Sequence, residues 1–182
     1  MLPDKYSFLN NIGTLPKMIA YGITLLGTKE VPGNADNSVI MNMAKELEMS
    51  NIYTHDELAW CSLAQSFIAL KTGKPFPGKG SKDPYDILRA LKWAEYGVAV
   101  DKPQLGDVLV FKRDGGGHVG MYIAESGSTY HVMGGNQIDS YCITEIAKYR
   151  LFTARRFYAT AAPASAKQYI INSSGKLSVN EA

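Results

Sequence analysis

Apolar residues recur at helical spacing through the first half of the chain and at strand spacing through the second. Residues 14–26 (TLPKMIAYGITLL) predict a helix, with Thr14 as N-cap, Pro16 in the first turn and Gly27 ending it. Residues 27–37 are turn-rich. A second helix is predicted at about 37–48, where Val39, Ile40, Met43, Ala44 and Leu47 keep helical spacing. A third carries Leu63, Ala64, Phe67, Ile68 and Leu70, dense enough for burial on most sides, and is stopped by Gly73, Pro75 and Pro77. Its start is open. Thr54-His55-Asp56-Glu57 fits a capping box, which would place Cys61 in the second turn. A start near Trp60 would place Cys61 at the N-terminus. After a polar loop at 74–83, a fourth helix is predicted from about Pro84 to Tyr96.

Beyond Gly97 the period shortens. Strands are predicted at Asp107–Phe111, His118–Ala124, Thr129–Met133, Gln137–Ile146 and Leu151–Phe157. Gly115-Gly116-Gly117 joins the first two in a hairpin-like turn. Helices followed by strands predict an α+β fold with an antiparallel sheet of about five strands. One domain is expected over residues 1–158. The Ala/Ser/Asn-rich residues 159–182 read as a loosely packed tail.

The chain has 182 residues and a net charge of +2, and its 19 basic residues are scattered. No phosphate-tracking face is visible, so nucleic acid is not an expected partner. The N-terminus shows no signal peptide and no segment long enough to span a membrane, so membrane insertion is not expected. Synthesis in the cytoplasm is the expectation. Clustered ligands for a structural zinc are absent from the sequence, so no metal is expected.

Two cysteines remain, Cys61 and Cys142. Each could be a buried structural thiol. Cys61 follows the polar run His55-Asp56-Glu57 and the aromatic Trp60, which suits a nucleophile. Cys142 lies mid-strand without a polar lead-in and reads as structural. A thiol attacks only as thiolate, and an unperturbed cysteine has a pKa of about 8.5. A helix N-terminus and an imidazole both favour the thiolate. His118 follows a glycine turn and is flanked by Gly117 and Gly120. Alternation sets His118, Gly120 and Tyr122 on one face, and Val119, Met121 and Ile123 on the other. His118 is the candidate base. Asn136 and His131 compete to orient it. Asp56 and Glu57 could bind a substrate amine or complement a helix N-terminus. Trp60 could wall a cleft or pack in the core.

Five segments together carry a resemblance. They are Lys29-Glu30-Val31-Pro32-Gly33, Asp56-Glu57-Leu58-Ala59-Trp60-Cys61-Ser62, Leu105-Gly106-Asp107-Val108-Leu109-Val110-Phe111, Gly117-His118-Val119-Gly120 and Gly134-Gly135-Asn136-Gln137. In this order they resemble the NlpC-type and CHAP (cysteine, histidine-dependent amidohydrolase/peptidase) group of papain-like hydrolases, over roughly residues 15–157. The resemblance implies a Cys61 helix packed on a sheet bearing His118, with the helix starting near Trp60. It implies an endopeptidase or amidase that cuts peptidoglycan, with no cofactor. Cys61 becomes nucleophile and His118 base. The third residue is Asn136 by the CHAP pattern, which the Gly-Gly-Asn-Gln run favours, or His131 by the NlpC pattern. Trp-Cys-Ser-Leu departs from the Asp-Cys-Ser-Gly of many NlpC-type enzymes, and that departure falls on Asp56, Glu57 and Trp60 as substrate-binding residues.

Two rival functions remain open at this point. One is an acyltransferase or transpeptidase on the same fold; the other is a non-catalytic wall-binding module. Action on the cell wall implies release or injection. A holin, a phage particle or a secretion system would serve, with an immunity protein as partner for an effector.

Overall fold

The computed structural model describes residues 1–158 and 162–178. Three α-helices come first: α1 (Lys17–Leu25), α2 (Ser38–Glu46) and α3 (Cys61–Lys71). Six strands follow: β1 (Val98–Val100), β2 (Val108–Arg113), β3 (Gly116–Glu125), β4 (Thr129–Gly134), β5 (Cys142–Ala147) and β6 (Leu151–Arg156). They form one sheet in the order β1-β6-β2-β3-β4-β5, with every pairing antiparallel. The fold is α+β, as the change of period implies. Among the described residues no helix is long and apolar enough to cross a membrane.

The helices pack on one sheet face. Met18, Ile40, Met43, Leu63 and Ile68 meet Val110, Val119, Met121 and Met133 in the main core. The opposite face holds a second cluster around Leu109, Phe111, Tyr122, Val132 and Ile146. β3 is therefore buried on both sides. Val119 and Met121 face the helices while Tyr122 belongs to the other cluster, as strand alternation requires.

Several elements differ from the sequence expectation. α1 starts at Lys17 with Pro16, not Thr14, at the N-cap. Asn37 caps α2 through its side chain, which accepts the N–H groups of Val39 (2.8 Å) and Ile40 (3.4 Å). The capping-box sequence at 54–57 starts no helix, because Asp56 is engaged elsewhere. The expected fourth helix is two 3-10 segments, Pro84–Leu88 and Ala90–Glu95, separated by an extended Arg89. Buried bonds to α3 override the helical period there. Ser62 Oγ donates to Ile87 O (2.8 Å) and accepts from Trp93 Nε1 (3.1 Å). The sixth strand, β1, has three largely exposed residues, too few for alternation to register. β5 begins at Cys142 and not at Gln137, because Asn136, Ile138 and Asp139 all hold positive φ (58°, 56° and 54°).

Residues 162–178 are tied to the body, in contrast to the loose tail expected. Ser165 Oγ donates to Thr14 O (2.5 Å), Leu105 N–H to Lys167 O (3.0 Å) and Ile171 N–H to Glu125 O (2.9 Å). The rest of that expectation, at 159–161 and 179–182, lies outside the described residues.

Candidate active site

Cys61 is the first residue of α3, and the N-cap Trp60 offers no side-chain cap. The first N–H groups of the helix are thus left toward the thiol. Cys61 is 4% exposed. Burial pushes its thiol up from the ordinary value. The Val119 N–H, the Arg113 charge and the amides of Ser62 and Cys61 pull against that rise. Val119 follows His118 on β3, and Cys61 and Val119 share the main core between α3 and the sheet.

His118 is fully buried and stacks on Phe111, its cross-strand partner, with ring centroids 6.3 Å apart. Its Nε2 lies 3.0 Å from Gln137 Oε1. The Gln137 amide nitrogen is occupied. It donates to Val132 O (3.1 Å) and Cys142 O (2.7 Å). Those two carbonyls fix the amide orientation, so Oε1 must be the atom facing the ring. An acceptor at Nε2 requires the proton there, which leaves Nδ1 as the basic nitrogen of neutral His118. The tautomer is set by two backbone carbonyls acting through one side chain.

The side chain that bonds His118 Nε2 is thus Gln137, where the sequence points to its neighbour Asn136 or to His131. Asn136 is buried at φ 58° and shapes the turn that delivers its neighbour. His131 sits on β4, where its Nδ1 bonds Tyr6 Oη (2.9 Å) and lies 3.9 Å from Glu145 Oε1. Cys142 is a free thiol that donates to Gln137 O (3.2 Å), so it helps seat the orienting residue. Cys61 is also free.

Of the residues considered for substrate binding, Trp60 and Asp56 bond the scaffold and Glu57 stands at the surface. Trp60 is fully buried, and its Nε1 donates to Glu30 Oε1 (2.6 Å). Asp56 is fully buried and accepts the N–H groups of Val31 (2.9 Å) and Asn37 (2.6 Å) through Oδ2. Glu57 is exposed and accepts the Gly33 N–H at 3.4 Å. Four of the five sequence segments thus converge on the start of α3. The fifth leads into β2, where buried Asp107 takes Arg156 in a two-pronged bond (2.9 and 2.7 Å).

Two glycines earn their place by close approach. A β-carbon on Gly120 would stand 2.6 Å from Val132 Cγ1, so Gly120 admits β4 and not a substrate. A β-carbon on Gly135 would stand 2.7 Å from Trp60 Cε3 and 3.0 Å from Ala64 Cβ. Gly135→Ala is expected to push α3 off the β4–β5 loop and cost about 1–3 kcal/mol. A urea midpoint that stays at the wild-type value would show that the helix start is not seated there.

A cleft of about 400 Å³ opens above the thiol, lined by Cys61, Arg89, Leu91, Lys92, Arg113 and Gly117 among others. A β-carbon on Gly117 would stand 2.6 Å from Leu91 Cδ2 on the opposite wall and 3.0 Å from Phe111 O. Among the described residues no group of three His, Cys, Asp or Glu side chains could hold a metal ion.

His131 gives the fold an acid limit. Burial lowers its pKa from the ordinary 6.5 to about 4. The unfolded chain takes up a proton below pH 6.5 that the folded one refuses until about pH 4. Stability from this group is complete above pH 6.5 and is lost as pH falls across that window, by about 3 kcal/mol. Burial raises Glu145, but Lys5, Ser173 and the Ser174 N–H outweigh it and hold the carboxyl below its ordinary range, which adds a further loss at lower pH. Denaturant midpoints measured between pH 7 and pH 4 should fall steeply in the wild type and less in His131→Gln. Equal slopes would remove His131 from this role.

Compared with protein-family models, with curated proteins and with solved structures, the chain returns no match.

Proposed function

We propose that this chain is a papain-like cysteine hydrolase of the NlpC and CHAP kind that cleaves an amide bond in the stem peptides of peptidoglycan. One observation carries the proposal. Cys61 opens α3 at the N-terminus of the helix, packed against the β3 segment that carries a histidine whose tautomer is fixed by Gln137. A thiol at a helix start and a histidine held by a side-chain acceptor are the groups a thiol hydrolase requires, and they support this reading. The cleft above Cys61 has the size of a peptide subsite. The substrate class rests on the sequence resemblance.

In the proposed reaction His118 Nδ1 takes the Cys61 proton, and the thiolate attacks the amide carbon. The oxyanion is met by backbone N–H groups at the start of α3, that of Cys61 foremost. The protonated imidazole gives its proton to the leaving amine as the C–N bond breaks. Water then attacks the thioester, with His118 taking its proton, and the thiol is regenerated. Gln137 accepts the Nε2–H throughout and stabilises the imidazolium.

The test is digestion of purified peptidoglycan followed by mass spectrometry of the soluble fragments. Hydrolysis adds one water per cut and exposes a new amine and carboxylate at one defined bond. Fragments joined to a new amine acceptor would instead identify a transferase. An undigested wall would leave a non-catalytic module as the remaining function.

A further inference from the structure

We propose that Arg113 reads a carboxylate on the substrate, so that the cleft takes acidic peptides and discriminates against their amidated forms. The proposal relies on the hydrolase reading for the identity of the substrate, while its structural basis is separate. Three cationic side chains line the cleft over Cys61: Arg89, Lys92 and Arg113. Arg89 is paired with Asp83 (2.5 Å) and Asp86 (2.8 Å), and Lys92 with Glu95 (3.0 Å). Glu95, the acid of the cleft wall, is thereby committed. Among the described residues Arg113 makes no ion pair, and its Nε is buried without a hydrogen-bond acceptor. Such an N–H loses its water without a replacement. A carboxylate in the cleft matches the planar fork of the guanidinium and supplies the ionic partner that Arg113 lacks among the described residues.

The surroundings leave room for that ligand. The residue facing Arg113 across the hairpin is Gly116, and a β-carbon there would meet nothing within 4 Å. Arg113 also lowers the Cys61 thiol by its charge, so it lies within electrostatic reach of the sulfur. A carboxylate held by Arg113 would sit near the scissile bond. A second hollow of about 410 Å³ is lined by Arg113 together with Lys112, Asp114, Tyr149 and Arg150.

Two soluble substrates test the proposal: muropeptides with free carboxylates, and the same material converted to carboxamides with carbodiimide and ammonium. Wild-type protein should cleave the carboxylate form with a kcat/KM roughly ten- to a hundredfold higher. Arg113→Gln should bring that ratio close to one, and Arg113→Lys should keep part of it. A ratio that Arg113→Gln leaves in place, or a wild-type ratio near one, overturns the assignment while the hydrolase stands. Should neither form be cleaved, the hydrolase reading fails. Titration of the same muropeptides into the Cys61→Ala protein then decides the matter for Arg113. Carboxylate-selective binding that disappears in Cys61→Ala/Arg113→Gln supports it, and unselective or absent binding overturns it.

Discussion

Cys61→Ala is expected to bring peptidoglycan hydrolysis down by at least roughly 10⁴-fold, with the fold retained. The substitution removes one sulfur from the first turn of α3. The turn itself is held by Trp60, Ser62 and the bonds they make to Glu30, Ile87 and Trp93. Far-UV circular dichroism and a thermal midpoint near the wild-type value would establish that the loss is chemical. Turbidity clearance by the variant at more than a few per cent of the wild-type rate would remove Cys61 from the reaction.

The second large effect belongs to Gln137. Gln137→Leu deletes the acceptor at His118 Nε2 and both donors to Val132 O and Cys142 O. The imidazole then loses its fixed tautomer and the partner of its cationic form. A fall in kcat of roughly 10²–10⁴ is expected, with a much smaller change in KM. Gln137→Glu keeps an acceptor at the ring and should recover part of the rate. Asn136→Gly suits the left-handed backbone at that position and should stay within about tenfold of the wild type. His131→Gln should also stay near the wild-type rate at neutral pH, since His131 bonds Tyr6 and not His118. An Asn136→Gly loss as deep as that of Gln137→Leu would contradict the assignment.

The fold class was legible because two periods occupy separate halves of the chain. Leu63, Phe67 and Ile68 keep helical spacing on α3, and Val119, Met121 and Ile123 alternate on β3. Residue type and order single out Cys61 and His118 as candidates, and the structure places Cys61 at the start of α3 and His118 on β3. The bond from His118 to Gln137 was not legible, although Gln137 stands one place from Asn136. Nothing in a sequence announces three left-handed residues around one turn, and that backbone decides which of two adjacent amides reaches the histidine. Asp56 and Trp60 read as site residues because they precede Cys61. Their bonds run instead to residues twenty to thirty positions earlier, which local pattern does not report. Arg113 was hidden for the opposite reason. It ends β2 beside a charged turn, and only the pairing of Arg89 and Lys92 with acids makes visible that Arg113 has no ion pair among the described residues.

The start of α3 also explains why the sequence segments travel together. Lys29 pairs with Ser140, Glu30 holds Trp60, Asp56 holds the 31–37 loop and Gly135 receives the indole ring. The positive φ of the β-branched Ile138 persists within this frame at a cost of about 1–3 kcal/mol. A strained turn beside a buried thiol is the kind of expense that functional sites sustain.

Burial and the imidazole pull the Cys61 proton in opposite directions. Burial alone keeps a neutral thiol that reacts only at high pH, whereas proton transfer to His118 creates a thiolate at neutral pH and below. The rate of iodoacetamide modification at Cys61, read by peptide mass spectrometry as a function of pH, separates the two. If Cys61 and His118 form a thiolate–imidazolium pair, Cys61 is modified well below pH 7 and faster than Cys142, and His118→Ala shifts its profile above pH 8. A Cys61 profile that rises only above pH 8 in the wild type, with no response to His118→Ala, would contradict the pair and with it the proposed chemistry.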